Sequence, residues 1–181
     1  MTLDELVEIY ERRAARPYGL EGVSQLEHAL QTATIAQDAG QPDTLVVAAL
    51  LHDVGHMVHG LGENPAGTGV DDRHEALGAA ALVGLFPDSV CEPIRLHVAA
   101  KRYLVASDPL YHARLSKDSI VSLAVQGGPM SNVDMNTFSA ETWFQHALSL
   151  RKFDEEAKIP NALTPSFRDF LPLLEACRLS R

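Results

Sequence analysis

His52 and Asp53 stand side by side behind the apolar run Ala48-Ala-Leu-Leu, and four more groups of metal-ligating type recur in helical contexts: His28, His74, His97 and Asp154. An ionised aspartate at the end of a buried helix is costly unless a cation or hydrogen-bond donors meet it. A metal ion answers that cost. Adjacent residues on a regular helix point apart, but Val54-Gly55 follows, so the backbone can turn enough for both side chains to reach one centre. Imidazole and carboxylate without thiolate suit iron, manganese or zinc, and a carboxylate shared between two ions suits a dinuclear site. Singly, each residue reads as structural. Together they read as a centre, because His28 falls on the apolar side of its helix, His74 precedes an Ala-rich face and His97 lies between Leu96 and Val98.

These residues need rigid elements behind them. Thr2-x-x-Glu5 and Ser24-x-x-Glu27 are capping boxes that predict helices over 3–15 and from Ser24 to Gly40. Asp43 or Thr44 caps a third, apolar nearly all round and therefore central and buried, with His52 and Asp53 at its far end. The stretch 55–72 is Gly-rich and aperiodic, which predicts a long surface loop of the kind that often serves as a lid. Helices are expected again over 73–85, 89–103, 116–126, 138–158 and 164–179, the last kinked near Pro172. No strand alternation, hairpin signal or repeat competes. The expectation is an all-α helical bundle forming a single domain over 1–181.

Composition narrows the partners. Fifteen Lys and Arg against 24 Asp and Glu give a formal charge of −9, which argues against nucleic acid or an anionic membrane as partner while leaving room for one basic pocket. Hydrophobic content of 46% and charged content of 22% exclude a disordered chain. No run of about 18 apolar residues occurs, and the N-terminal segment reads as neither secretion signal nor transit peptide. Two widely separated cysteines, Cys91 and Cys177, suit a reducing, cytoplasmic setting.

The order His28, His52-Asp53, then a distant Asp154 resembles the HD-domain superfamily of helical, metal-dependent enzymes. A narrower resemblance rests on Tyr18-Gly-Leu-Glu21, Val23-Ser-Gln-Leu-Glu27-His28, Ala48-Ala-Leu-Leu-His52-Asp53-Val-Gly-His56, His97-Val-Ala-Ala-Lys101-Arg-Tyr-Leu104 and Leu115-Ser-Lys-Asp-Ser119-Ile-Val-Ser122-Leu-Ala-Val-Gln126-Gly-Gly-Pro-Met130. Over about residues 10–160 the chain is similar to HD-type mixed-valence diiron oxygenases, which cleave the C–P bond of 1-hydroxy-2-aminoethylphosphonate or its N-trimethyl analogue. The products are phosphate and glycine or glycine betaine.

That resemblance implies two iron ions (Fe2+/Fe3+), one held by His28, His52, Asp53 and Asp154, the other by His74, His97 and the shared Asp53. It implies that Tyr18 occupies the second iron until substrate displaces it, and that Glu21 then meets the substrate amine. His56, Ser119 and Ser122 match further phosphonate contacts, and Gln126 lies in the matching Gln-Gly-Gly turn. Spacing adds two cations: Lys101 lies four residues after His97 and Arg151 three before Asp154, so each shares a helix face with a proposed ligand. Arg suits a bidentate grip on phosphonate oxygens and Lys a point charge.

The alternatives are a mononuclear HD phosphohydrolase, in which metal-bound water attacks a phosphate ester, and a metal-stabilised sensor that binds phosphonates without turnover. The hydrolase needs only the first ligand set. Tyr18, Glu21, His74 and His97 favour the oxygenase. With 6% aromatic residues, an aromatic cage for a quaternary ammonium is less expected than a primary amine partner. Oligomeric state stays open.

Overall fold

The structure, a computed structural model, describes residues 1–15, 17–18, 22–58, 61 and 65–180, with residues 17 and 18 described by their backbone alone. Helix α1, Leu3–Arg13, opens on the expected capping box: the Thr2 hydroxyl accepts from the Glu5 backbone N–H while the Glu5 carboxylate accepts from that of Thr2. Two short strands follow, β1 (Pro17–Tyr18) and β2 (Val23–Ser24), antiparallel with Tyr18 opposite Val23. The sequence predicted no strand. A two-residue ladder is too short to show any alternation of side chains.

Ser24 and Glu27 then cap α2, Gln25–Asp38, which leads into α3, Asp43–Leu51. Leu45 through Leu51 are all buried, so α3 is the central rod the sequence anticipated. Around it lies the main core, with Leu6 and Tyr10 of α1 on one side and Ile94, Phe86 and Leu174 on others. The Tyr10 hydroxyl donates to the Leu50 carbonyl at 2.8 Å and its ring stacks on Phe167 at 4.5 Å. A buried hydroxyl is thereby satisfied at the end of the rod that carries the metal-type residues.

The stretch 55–72 differs from the expected loop. Helix α4, Val54–Val58, occupies its start, and a single 3-10 turn, Ala66–Thr68, lies further on. Arg13 ties α4 to α1 by donating to the Met57 carbonyl at 3.0 Å. Residues 59–60 and 62–64, the middle of the suggested lid, lie outside the described residues.

Next come α5 (His74–Leu82), α6 (Asp88–Ser107) and α7 (Pro109–Arg114). Helix α6 runs past residue 103 because Leu104 and Val105 continue its buried face. The sequence reading passed over α7, although Asp108 before Pro109 is a cap, its carboxylate accepting from the Leu110 N–H at 2.9 Å.

Helix α8 spans Lys117–Val125, α9 Asn132–Ser139 and α10 Phe144–Glu156. The expected helix over 138–158 is therefore two. A turn between α9 and α10 brings Phe138 and Phe144 edge to face, centroids 5.2 Å apart, a contact that an unbroken helix through both residues would not allow. In place of one kinked helix over 164–179, a 3-10 turn (Phe167–Phe170) runs into α11, Leu171–Ala176, with Pro172 in its first turn rather than at a kink. The site lies where α2, the α3–α4 junction, α5, α6 and α10 converge. These helices pack against one another: α10 on α6 and α2, α4 on α5, α6 on α3.

Candidate metal centre

Each imidazole is aimed by a hydrogen bond at its Nδ1. His28, on α2, donates to the Ala157 carbonyl at 2.8 Å. Gln31 holds the same segment, its amide pairing both ways with the Ile159 backbone at 3.0 Å. His52 donates to Ala49 O at 2.9 Å and His97, on α6, to Ile94 O at 2.7 Å. His74, the first residue of α5, meets the Asp72 carboxylate at 2.9 Å. A carbonyl or carboxylate oxygen only accepts, so the Nδ1 atoms carry protons and Nε2 is the nitrogen each ring turns towards the centre.

Those Nε2 atoms face one another in two pairs. His28 and His52 approach to 3.2 Å, His74 and His97 to 3.1 Å. Asp53 lies between the pairs. Its Oδ2 is 3.6 Å from His28 Nε2 and 3.4 Å from His52 Nε2, and its Oδ1 is 3.5 Å from His74 Nε2 and 3.7 Å from His97 Nε2. Asp154, on α10, closes the first group with Oδ1 3.3 Å from His28 Nε2 and 3.9 Å from His52 Nε2. All six residues are buried. Helix α3 ends at Leu51 and α4 begins at Val54, and this break lets the neighbouring His52 and Asp53 face the same centre.

Two observations test whether a metal suits this set. Facing lone pairs at hydrogen-bond distance repel unless a proton or cation lies between them. Asp53 Oδ2 and Asp154 Oδ1 are, moreover, buried with no hydrogen-bond partner among the described residues. A cation relieves both, and imidazole with carboxylate is the donor set of first-row transition metals. The groups fit. Burial by itself would lower the His52 pKa, but the Asp53 and Asp154 charges outweigh it and hold the ring at about 9. Burial likewise opposes ionisation of Asp53, and the surrounding imidazoles reverse it, keeping its carboxyl below the usual range.

His56 and Asp72 stand beside the second pair. Asp53, His56 and His74 also bring ligand atoms together, but His56 Nε2 is 3.9 Å from Asp53 Oδ1, farther than His97. Its Nδ1 bonds Asp72 Oδ2 at 2.7 Å. His97 therefore completes the second group better.

A cavity of about 190 Å³ opens onto the centre, bordered by Asp53, His74, His97 and Asp154 and by Lys101, Ser119, Ser122, Gln126 and Arg151 from the predicted substrate residues. His56 borders it too. The volume is below the roughly 300 Å³ where drug-sized pockets begin, a size that suits a small molecule. Lys101 Nζ donates to Ser122 Oγ at 2.8 Å. Burial, reinforced by the charges of Arg151 and Lys158, pulls its pKa down to about 7. Arg151 is buried against Asp154 and Glu155 and donates to the Tyr111 hydroxyl at 2.7 Å. Burial opposes its charge, and the flanking carboxylates more than restore it, raising its pKa. Ser119 is tied into the same cluster, donating to Glu155 at 2.9 Å and accepting from Arg151 at 3.0 Å.

Of the sequence-predicted residues, Glu21 and the side chain of Tyr18 lie outside the described residues. The sequence reading missed Gln25, Asp72, Tyr111, Glu155 and Lys158. Glu155 was the most findable, since it stands four residues after Arg151.

Comparison with known proteins fits this geometry. The HD domain model matches residues 26–124. The chain belongs to the HD family. Within that family it is 40% identical over 167 residues to the [1-hydroxy-2-(trimethylamino)ethyl]phosphonate dioxygenase (glycine-betaine-forming) of Leisingera caerulea, covering 92% of this chain and 85% of that protein. It is 37% identical over 165 residues to the hydroxymethylphosphonate dioxygenase of Gimesia maris, covering 87% and 79%. The buried His/Asp clusters and these relatives together indicate a metal cofactor. Among the described residues no helix is long and apolar enough to cross a membrane.

Proposed function

We propose that this protein is an O2-dependent diiron enzyme that cleaves the C–P bond of a small 1-hydroxyphosphonate, a 1-hydroxy-2-aminoethylphosphonate or its N-trimethyl analogue being the expected substrate. The observation that carries the reading is Asp53, whose two carboxylate oxygens each face a different pair of histidine Nε2 atoms. One iron would be held by His28, His52, Asp53 and Asp154, the other by His74, His97 and Asp53. When bound, the iron pair supplies the oxidising capacity for reaction with dioxygen.

The chain supplies recognition. Lys101 and Arg151 bring positive charge to a cavity in an otherwise acidic protein, and Ser122 fixes the Lys101 ammonium beside it. Arg151 is held rigidly by Asp154, Glu155 and Tyr111, so it offers a preorganised donor to a phosphonate oxygen. The overall reaction balances with one O2 per turnover. The carbinol carbon becomes a carboxylic acid and phosphorus leaves as phosphate.

We read residues 1–181 as one HD-type domain acting in the cytoplasm, a setting consistent with the free thiols of Cys91 and Cys177. A mononuclear phosphate-ester hydrolase needs only the first group and has no use for the second histidine pair. The test is to load the protein with iron anaerobically, add each hydroxyphosphonate, and measure phosphate with and without oxygen. Phosphate that appears only with O2, one per O2 consumed, supports the proposal. Release without oxygen, or only from phosphate esters, refutes it.

A further inference from the structure

Helix α2 begins at Gln25, and His28 follows one turn later on the same face. Gln25 thereby borders the cavity together with Asp53, His97, Lys101 and Arg151. Among the described residues nothing in the fold calls for an amide there. Ser24 and Glu27 cap the helix without it, and its Oε1 is buried with no hydrogen-bond partner among the described residues. An unpaired buried carbonyl oxygen costs about 1–3 kcal/mol, a penalty that a leucine at this position would avoid. A ligand that brings a donor removes it.

The donor's place on the ligand follows from chemistry. An ionised phosphonate head only accepts, and its complement is the Lys101 and Arg151 donors. What Gln25 accepts must therefore come from the organic part. We propose that Gln25 is a specificity-determining residue whose Oε1 accepts a hydrogen bond from an N–H or O–H on the organic substituent of the bound phosphonate. This assignment rests on the phosphonate reading above. A quaternary ammonium carries no N–H and gives that oxygen nothing to accept, so a site of this kind discriminates against it unless a hydroxyl serves instead.

Four ligands separate the possibilities, titrated calorimetrically into iron-loaded protein without oxygen. Methylphosphonate and N,N,N-trimethyl-2-aminoethylphosphonate have no donor, hydroxymethylphosphonate has an O–H, and 2-aminoethylphosphonate has N–H groups. Gln25→Leu is expected to weaken the donor-bearing ligand that Gln25 meets about tenfold while changing the two donor-free ligands less than about twofold. An effect on 2-aminoethylphosphonate identifies an amine, one on hydroxymethylphosphonate a hydroxyl, and both outcomes support the assignment. Gln25→Glu keeps the acceptor but adds a charge that disfavours every phosphonate, and it is expected to retain the preference for whichever ligand that is over the donor-free pair. Equal losses for all four ligands, or no loss for any, overturn the role of Gln25 while leaving the phosphonate reading in place. If no phosphonate binds the unaltered protein, the phosphonate reading fails and takes this assignment with it.

Discussion

The imidazoles of His56 and His74 stack with centroids 3.9 Å apart and planes at 21°, and both hydrogen-bond the same Asp72 carboxylate. One buried acid thus fixes two rings, one on the substrate side of the centre and one in the second histidine pair. A carboxylate behind a ligating histidine sets its tautomer and raises its basicity.

Asp72→Asn keeps the shape and removes the charge. The second metal is expected to bind about 10–100-fold more weakly, with the first unaffected. Competition with a graded chelator, followed by iron analysis, reads this out. Two equally tight irons in the variant would refute the role of Asp72.

Gly55 sits where α4 crosses α5, and a Cβ there would lie 2.0 Å from the His74 carbonyl oxygen and 2.6 Å from its carbonyl carbon. Backbone cannot step aside as a flexible side chain does. Gly55→Ala should therefore destabilise the fold by about 1–3 kcal/mol, although the same change inside an unobstructed helix stabilises by up to about 1 kcal/mol. Thermal unfolding is expected to shift down by about 2–4 °C per kcal/mol. A rise in Tm would show that the α4–α5 contact is looser than described.

Lys101 loses its proton near pH 7 because burial and neighbouring cations disfavour the ammonium. It is charged below that pH and neutral above. Phosphonate affinity, corrected for the ligand's own ionisation, should fall as pH rises from about 6 to 9. Lys101→Met should bind about tenfold more weakly at pH 6 and show a flatter profile. A profile as steep as that of the unaltered protein would place the titrating group elsewhere.

Glu155 receives Arg151, Lys158 and Ser119 on one oxygen and the Ser116 backbone N–H on the other. Glu155→Ala strands buried cations and frees the start of α8. A loss of about 3 kcal/mol is expected by denaturant titration, with Glu155→Gln milder because it still accepts from Ser116. A loss below about 1 kcal/mol for Glu155→Ala would mean that the cluster is solvated.

The centre was more legible in the sequence than the scaffold around it. His28, His52, Asp53, His74, His97 and Asp154 all converge; each reads singly as structural, and their recurrence in apolar helical contexts together with the family resemblance joins them. Helix ends set by tertiary contacts were less legible. Nothing local in residues 138–144 announces the turn that lets Phe138 meet Phe144. Asp72 was hidden in an aperiodic stretch, where no spacing rule connects it to His56 and His74. Gln25 carries no charge and no ligand chemistry, and only the cavity wall marks it.

The shared carboxylate of Asp53 is the centre of the account, and the iron content of His97→Ala compared with that of the unaltered protein tests it most directly. Two irons per chain in the unaltered protein, one in the variant, and loss of oxygen-dependent phosphate release are the predicted result. One iron in the unaltered protein, or two retained by His97→Ala, would contradict it.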